Sequence, residues 1–278
     1  VLKTPPIDAP PSEAAFTAYA QSLDVNWSDA LEELHEEASR DHFLDVWTRT
    51  SLLDGMRKLG PAQPEVVLDA GCSSGYLLED LRRELPTASL VGVDLIAGGL
   101  RRAHLLVPDA KLLLADVCDL PIEDESVDVA LSANLLEHVP DDAGALAELH
   151  RVLRPGGLAA IIVPASPGSY DYYDAFLGHE RRYARGELAG KAAGFEVVLD
   201  THIGALIYPA FWAVKKRNRL KHKAPTPAER QALVEHDIDR TTTSRLGALT
   251  TGIERKLLAR GVRFGFGIRS LTFLRKPF

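Results

Sequence analysis

The chain has 278 residues, 46% hydrophobic and 26% charged, and its 32 basic against 39 acidic side chains leave a net charge of −7. That length suits one large domain or two small ones, and the acidic balance does not suit a protein held on nucleic acid by phosphate neutralisation. Two cysteines cannot build a disulfide framework, no apolar run nears the roughly 20 residues that span a bilayer, and Val1–Pro6 has no signal-peptide core, so a cytoplasmic protein is expected.

Residues 1 to about 12 are rich in proline and carry no predicted element. From Glu13 to Leu59 the pattern is helical. Leu31, Leu34, His35 and Ala38 recur at helix spacing, as do Phe43, Val46, Trp47, Thr50 and Leu53, and Gly60-Pro61 then stops the helix. Residues 1–60 therefore read as a helical N-terminal segment and 61–278 as the main domain. Strands are predicted near 65–70, 89–94, 110–115, 126–133 and 157–164, with helical patterns between them. Asp141 to Leu153 is one such helix, with Asp141 or Asp142 as N-cap, Leu146, Leu149, Val152 and Leu153 on one face, and Gly156-Gly157 closing it. A sixth strand fits Phe195–Leu199 and a seventh Ser270–Arg275. Strand alternating with helix implies an α/β, doubly wound, mostly parallel sheet with its ligand at the strand carboxyl ends.

Between the last two strands, about 205–266, lies an insertion. An aromatic stretch, Tyr208-Pro209-Ala210-Phe211-Trp212, runs into the basic Lys215-Lys216-Arg217-Asn218-Arg219-Leu220-Lys221-His222-Lys223. Such a segment can dock on a membrane surface or an anionic partner. A half-buried helix with a basic solvated face is the preferred reading.

The most informative stretch is Val66-Val67-Leu68-Asp69-Ala70-Gly71-Cys72-Ser73-Ser74-Gly75: an apolar strand ending on an acid, then a glycine turn, then a helix. Glycine in such a turn lets a ligand approach the backbone. Asp94 and Asp116 stand at the ends of two further apolar strands, so three polar strand ends build one nucleoside-binding edge. G-x-G-x-x-G is incomplete here, with Ser73 between Gly71 and Gly75, and the phosphate-binding G-x-x-x-x-G-K-[ST] is absent. NAD is therefore not the expected ligand.

What remains resembles motif I (D-x-G-C-G-x-G) of the class I S-adenosylmethionine (SAM) methyltransferases. The likeness continues through Asp116–Pro121 with Ser126–Leu131, Asn134–Val139, Arg151–Gly157 and Gly178-His179-Glu180-Arg181-Arg182-Tyr183, the last similar to the G-H-x-R-R-Y segment of one bacterial branch. It covers roughly residues 40 to 200. It implies a Rossmann-like seven-stranded sheet whose last strand is antiparallel, and N-terminal helices that cover the cofactor as a lid unless they simply pack on the sheet. It also implies SAM as cofactor and S-adenosylhomocysteine as product. Asp94 would take the ribose hydroxyls and Asp116 the adenine amine, with Asp69, Gly71, Cys72, Ser73, Gly75, Leu95, Val117 and Asn134 completing the cofactor site.

Methyl transfer from a sulfonium is an in-line displacement in which positioning does most of the work. A base is needed only where the acceptor carries a proton. His179 and His138 are the candidates, histidine titrating near neutrality. His179 follows the aromatic loop Tyr170-Asp171-Tyr172-Tyr173-Asp174, and its alternative role is a loop-ordering bond to Asp174 or Arg182. His138 would sit beside the methionine end of the cofactor, or merely cap its turn. Tyr170, Tyr173, Arg182 and Tyr183 are the acceptor-binding candidates; Arg181, Arg182 and Tyr183 could equally clamp the loop. Arg49 could reach the cofactor carboxylate or lie at the surface, and Cys72 is a turn residue rather than a nucleophile. In ubiquinone-pathway and small-RNA methyltransferases a similar E-x-x-E-H holds a divalent metal. Here the first carboxylate is Asn134, followed by Glu137 and His138, so no metal is expected.

A small acceptor of natural-product or glycan type is the leading expectation. Alternatives are a lipid or isoprenoid acceptor, or a SAM-binding enzyme that catalyses a rearrangement or decarboxylation without methylating. Acceptor identity, the element methylated and the oligomeric state have no signature in the sequence.

Overall fold

A computed structural model describes residues 16–20, 40–221, 226, 229, 233–234 and 245–278. The helical periodicity at 31–38 and the end of the basic run at 222–223 lie outside those residues. Helices are α1 (Phe43–Leu59), α2 (Tyr76–Glu84), α3 (Ala97–Leu106), α4 (Asp142–Val152), α5 (Tyr172–Phe176), α6 (Glu187–Lys191), α7 (Tyr208–Lys221) and α8 (Arg245–Ala259). Strands are β1 (Thr17–Ala18), β2 (Val66–Ala70), β3 (Ser89–Asp94), β4 (Lys111–Leu114), β5 (Val127–Ala133), β6 (Leu153–Pro164), β7 (Glu196–Ile203) and β8 (Arg269–Arg275).

They form one sheet in the order β1-β4-β3-β2-β5-β6-β8-β7, with eight strands where seven were expected. The extra one is β1, which pairs parallel to β4 through Thr17↔Leu113 and Ala18↔Leu114. It lies in a stretch read as helical, and a two-residue strand has no periodicity to betray it. The expected antiparallel terminal strand is present: β8 runs antiparallel to both β6 and β7.

Strand alternation divides the core into two layers. Val66, Leu68, Val91, Leu113 and Ala130 face α4 through Ala145, Leu146, Leu149 and Val152. Val67, Leu90, Leu112, Val129 and Leu158 face α1, α2 and α3 through Leu52, Leu53, Leu78, Leu81, Leu100 and Ala103. Period-two burial on both faces is what a sheet covered by helices on each side requires. The described part of the N-terminal segment thus packs on the sheet: α1 buries Trp47, Leu52, Leu53 and Met56, and Gly55 lets it lie against the Phe273 ring of β8.

Helix α4 begins as expected, its Asp141 cap accepting from Gly144 N at 2.9 Å. Its end differs. Leu153 is already extended and opens β6, so Gly156, with φ +78°, sits inside the strand rather than closing the helix. The topology puts the carboxyl ends of β2, β3, β4, β5 and β6 along one edge. Asp69, Asp94, Asp116 and Asn134 lie at or just beyond those ends.

Candidate active site

The turn from β2 to α2 is tied to its neighbour, with Gly71 N and Cys72 N donating to Val93 O at 2.8 and 3.0 Å. Gly71, Ser73 and Gly75 take φ of +77°, +44° and +85°. That region favours glycine, so Ser73 stands in a conformation that side chains disfavour. The two glycines do different things. A Cβ on Gly71 would stand 3.0 Å from the Leu135 side chain at the end of β5, whereas one on Gly75 would stand 2.7 Å from Ala103 Cβ. Gly75, expected at the cofactor, is required by the close approach of α2 to α3. Cys72 is buried.

Asp94 couples this turn to β3. Its Oδ2 accepts from Ser73 N at 2.8 Å and its Oδ1 from Ile96 N at 2.9 Å, across Leu95. Asp116 folds its own loop in the same way, Oδ1 accepting from Cys118 N at 2.8 Å beside the buried Val117. Burial, with the Asp116 charge next, pushes the Cys118 thiol up to about 12. Asp69 is only 1% exposed, and its Oδ2 has no hydrogen-bond partner among the described residues. Burial, then the Asp94 charge, raises its carboxyl to about 8. Asn134 closes β5 with φ +52°, and its buried Oδ1 is likewise without a partner among the described residues.

On the neighbouring strand, residues 166–183 form a loop that leaves β6 and returns to it, Tyr183 N donating to Pro164 O at 2.9 Å and Ser166 N to Tyr183 O at 2.9 Å. Its hub is Asp174, fully buried. Asp174 accepts from Asp171 N at 3.0 Å and Arg182 Nε at 2.7 Å, faces His179 Nδ1 at 2.9 Å, and has Lys215 Nζ at 3.5 Å. Burial alone would raise its carboxyl, but the His179 bond and the Arg182 and Lys215 charges outweigh it and hold the group well below the usual carboxylate range. His179 is displaced downward by burial, which Asp174 partly opposes.

The expected acceptor residues separate into two groups. Tyr170 and Tyr173 are half-buried, Tyr170 Oη donating to His179 O at 2.8 Å. Arg182 and Tyr183 are withdrawn into the protein. Arg182 is spent on Asp174 and on Ala165 O at 3.2 Å, and the fully buried Tyr183 donates to Asp142 Oδ2 at 2.8 Å. Both therefore hold the loop rather than present themselves to a ligand. Arg181 clamps the loop to Val139 O at 2.8 Å and Pro140 O at 3.0 Å. Arg49 pairs with Asp80 of α2 at 2.9 Å and binds α1 to the glycine-turn helix.

Two contributors stand out in the structure beyond the expected catalytic, cofactor and acceptor residues. Lys215 of α7 is buried, lies 2.6 Å from Asp171 Oδ1, and stands over the Tyr173 and Phe211 rings at 5.2 and 5.6 Å. The basic run is thus split between an inward Lys215 and an outward Lys216, which covers Trp212 at 4.9 Å. Phe211 and Lys215, four apart on one helix face, were the available signal. The second is Glu137, in a 3-10 turn (Leu136–His138) after β5. It is fully buried, and neither carboxylate oxygen has a hydrogen-bond partner among the described residues. The turn is tied to the loop by Glu180 N donating to Glu137 O at 2.8 Å, and the His138 and His179 rings meet edge to face at 4.8 Å.

Comparison with known proteins shows the family and the fold. Residues 68–161 match the family described as methyltransferase domain. The chain is 32% identical over 199 residues to the malonyl-[acyl-carrier protein] O-methyltransferase of Methylococcus capsulatus, covering 62% of this chain and 70% of that one. It is 35% identical over 146 residues to phthiotriol/phenolphthiotriol dimycocerosates methyltransferase 1 of Mycobacterium ulcerans, covering 48% of this chain and 50% of that one. The chain spans about half the length of several curated relatives it matches. In fold it is similar to Haemonchus contortus phosphoethanolamine N-methyltransferase 2 in complex with SAM, with a TM-score of 0.59 at 17% identity over 92% of this chain and 59% of that one.

Proposed function

Because the chain belongs to the class I SAM-dependent methyltransferase family, we propose that it transfers the methyl group of SAM to a small-molecule acceptor of natural-product or glycan type and releases S-adenosylhomocysteine. The observation that carries the cofactor half of this reading is the row of acids at one sheet edge. Asp69, Asp94 and Asp116 lie at the carboxyl ends of three adjacent parallel strands, in the register Asp69↔Gly92 and Asp94↔Leu114. Asp94 would take the ribose hydroxyls, its position held by the turn that must cradle the cofactor. Asp116 would take the adenine amine. Asp69 and Asn134, each with a buried side-chain oxygen lacking a partner among the described residues, suit the polar methionine end.

The acceptor half rests on the Tyr170–Tyr183 loop, which borders the same edge beside β5 and β6. In this reading Tyr170 and Tyr173 wall the acceptor, and His179 and His138 face its nucleophilic atom. SAM, when bound, would supply the electrophilic methyl carbon to the acceptor lone pair and leave as S-adenosylhomocysteine with the S–C bonding pair on sulfur, while the proton of a hydroxyl acceptor would pass to His179 or His138. Burying reactants in a near-attack geometry supplies up to about 7–11 kcal/mol of the barrier.

Calorimetry with SAM, S-adenosylhomocysteine and NAD, followed by mass spectrometry of acceptor pools incubated with labelled SAM, tests the two halves separately. Micromolar binding of the first two ligands and none of NAD is expected. Failure to bind either sulfur nucleoside at millimolar concentration overturns the reading. Turnover without S-adenosylhomocysteine release would assign the chain to non-methylating chemistry instead.

A further inference from the structure

Helix α7 presents two unlike faces. With about 3.6 residues per turn, Phe211, Lys215 and Asn218 fall on one stripe, and that stripe is turned inward. Lys215 is held by Asp171 at 2.6 Å, and Asn218 Nδ2 donates to Tyr172 Oη at 3.2 Å. Tyr208 Oη donates to Ser166 Oγ at 2.9 Å, so the inner face is stapled along the first half of the 166–183 loop. The opposite face carries Trp212, Val214, Lys216, Arg217, Leu220 and Lys221, all exposed. Leu220 is 65% exposed, and Trp212 and Val214 42% each, which is high for large apolar side chains on one short helix.

A basic solvated face does not by itself account for this pattern. Cations in the last turn complement the helix dipole, which covers Arg219 and Lys221. Lys216 and Arg217 stand before that turn, and among the described residues neither forms an ion pair; Arg217 reaches the Asn218 amide oxygen at 3.5 Å. The helix has five basic residues and no acid, in a chain whose net charge is −7. Arg217 and Lys221, four apart on the exposed side, repel each other. The apolar side chains are interleaved with these cations. Lys216 Nζ lies 4.9 Å from the Trp212 ring centroid, and Leu220 continues the same row one turn on. A protein partner selects an apolar centre within a polar rim. A lipid surface accepts the interleaved pattern, because apolar bodies enter the acyl boundary while long basic side chains snorkel to the headgroups. Trp suits that boundary, apolar in its body and polar at its N–H.

We propose that the outer face of α7 docks the protein on an anionic lipid bilayer, with Trp212, Val214 and Leu220 at the acyl boundary and Lys216, Arg217 and Lys221 among the headgroups. At 14 residues with five cations, α7 lies in the interface and does not cross it. The acidic remainder of the chain is repelled by the same surface, which orients the molecule with α7 toward it. Docking on this face sets the Tyr170–Tyr183 loop, gripped by the inner face, about one helix diameter (~10 Å) from the headgroups. An acceptor with an apolar tail would enter there; that consequence rests on the methyltransferase reading, whereas the docking does not.

The test uses the full chain, co-sedimented with vesicles of phosphatidylcholine alone and of phosphatidylcholine mixed with phosphatidylserine. Affinity for S-adenosylhomocysteine and Tm are measured on every variant as checks of folding. Partitioning onto the mixed vesicles should exceed that onto phosphatidylcholine by at least about 10-fold. The double variant Lys216→Gln, Arg217→Gln should lose about 25-fold, roughly fivefold for each charge removed, with S-adenosylhomocysteine affinity unchanged. Lipids brominated in the acyl chain should quench part of the tryptophan fluorescence, and Trp212→Phe should abolish that part. Equal partitioning onto both vesicles, or wild-type partitioning by the double variant, overturns the proposal. Salt-sensitive adsorption without quenching of Trp212 also overturns it, and marks the face as a site for an acidic protein partner. Vesicle binding by a protein that fails to bind S-adenosylhomocysteine supports the docking face and overturns the methyltransferase reading.

Discussion

Asp174 Oδ1 lies 2.9 Å from His179 Nδ1 and 2.7 Å from Arg182 Nε, so one buried oxygen orients the imidazole and fixes the loop that carries it. Removing the imidazole and removing its support should therefore differ in degree. His179→Ala should lower turnover by about two to four orders of magnitude, with S-adenosylhomocysteine affinity near wild type. Asp174→Asn keeps the volume and should lose about 10–100-fold. Steady-state kinetics beside calorimetry decides the matter. Wild-type turnover in His179→Ala would remove this loop from the acceptor site.

Asp94 serves the turn and the ligand together. Asp94→Ala should lose charge-assisted bonds of about 1.5–3 kcal/mol, a tenfold or greater loss of SAM affinity by calorimetry. The same change strips Ser73 N and Ile96 N of their acceptor, so amide exchange at 73 and 96 should quicken in the free protein. Unchanged affinity would contradict the ribose assignment.

The two turn glycines should fail differently. Gly75→Ala drives a Cβ to 2.7 Å from Ala103 Cβ and should cost about 1–3 kcal/mol of stability by overpacking, read as a lowered Tm. Both changes strain a backbone at positive φ, but beyond that shared cost Gly71→Ala meets only the Leu135 side chain, at 3.0 Å, and that side chain can rotate. Its main effect should be on cofactor affinity, because the displaced Leu135 borders the same edge. Equal loss of Tm in both variants would refute the distinction.

Asp69 makes the ligand-free protein sensitive to pH. Burial first and the Asp94 charge second push its folded carboxyl up to about 8, well above the usual carboxylate range of about 4. Between those values the folded state holds a proton that the unfolded chain has lost, so this group's contribution to stability is full below about pH 4 and is lost as pH rises through about 8. Asp69→Asn should therefore flatten the fall in Tm between pH 5 and pH 8 while weakening SAM binding. An unaltered Tm profile would show that the carboxyl is ionised in the fold.

Lys215 ties the insertion to the loop. Lys215→Met leaves Asp171 without its partner at 2.6 Å, and breaking a buried pair on one side costs about 3–5 kcal/mol. Faster proteolysis within α7 and a lowered Tm are expected, with S-adenosylhomocysteine affinity retained.

Much of this molecule is legible residue by residue. The apolar run Val66–Leu68, the acids Asp69, Asp94 and Asp116, and the turn from Gly71 to Gly75 are signals written within single segments, because strand alternation and turn chemistry depend on adjacent residues. The same locality places the α4 cap at Asp141. It also explains the misreadings: β1 has two residues and owes its existence to β4, and the glycines at 156 and 157 fall inside a strand that begins where α4 ends.

What the tertiary structure decided is which charged groups went inside and whom they met. In sequence, Arg182, Tyr183 and Lys215 look as available to a ligand as Tyr170 does, and nothing near Glu137 says that its carboxylate is buried. Packing α7 and the Tyr170–Tyr183 loop onto the end of β6 buries Lys215 against Asp171, Tyr183 against Asp142, and Arg182 against Asp174. It leaves Glu137 in the interior with His138 and His179 as neighbours. The three pairs, Arg182 with Asp174, Tyr183 with Asp142 and Lys215 with Asp171, are 8 to 44 residues apart in sequence. The energy of each contact depends on desolvation by distant chain, a quantity no local pattern of residues encodes.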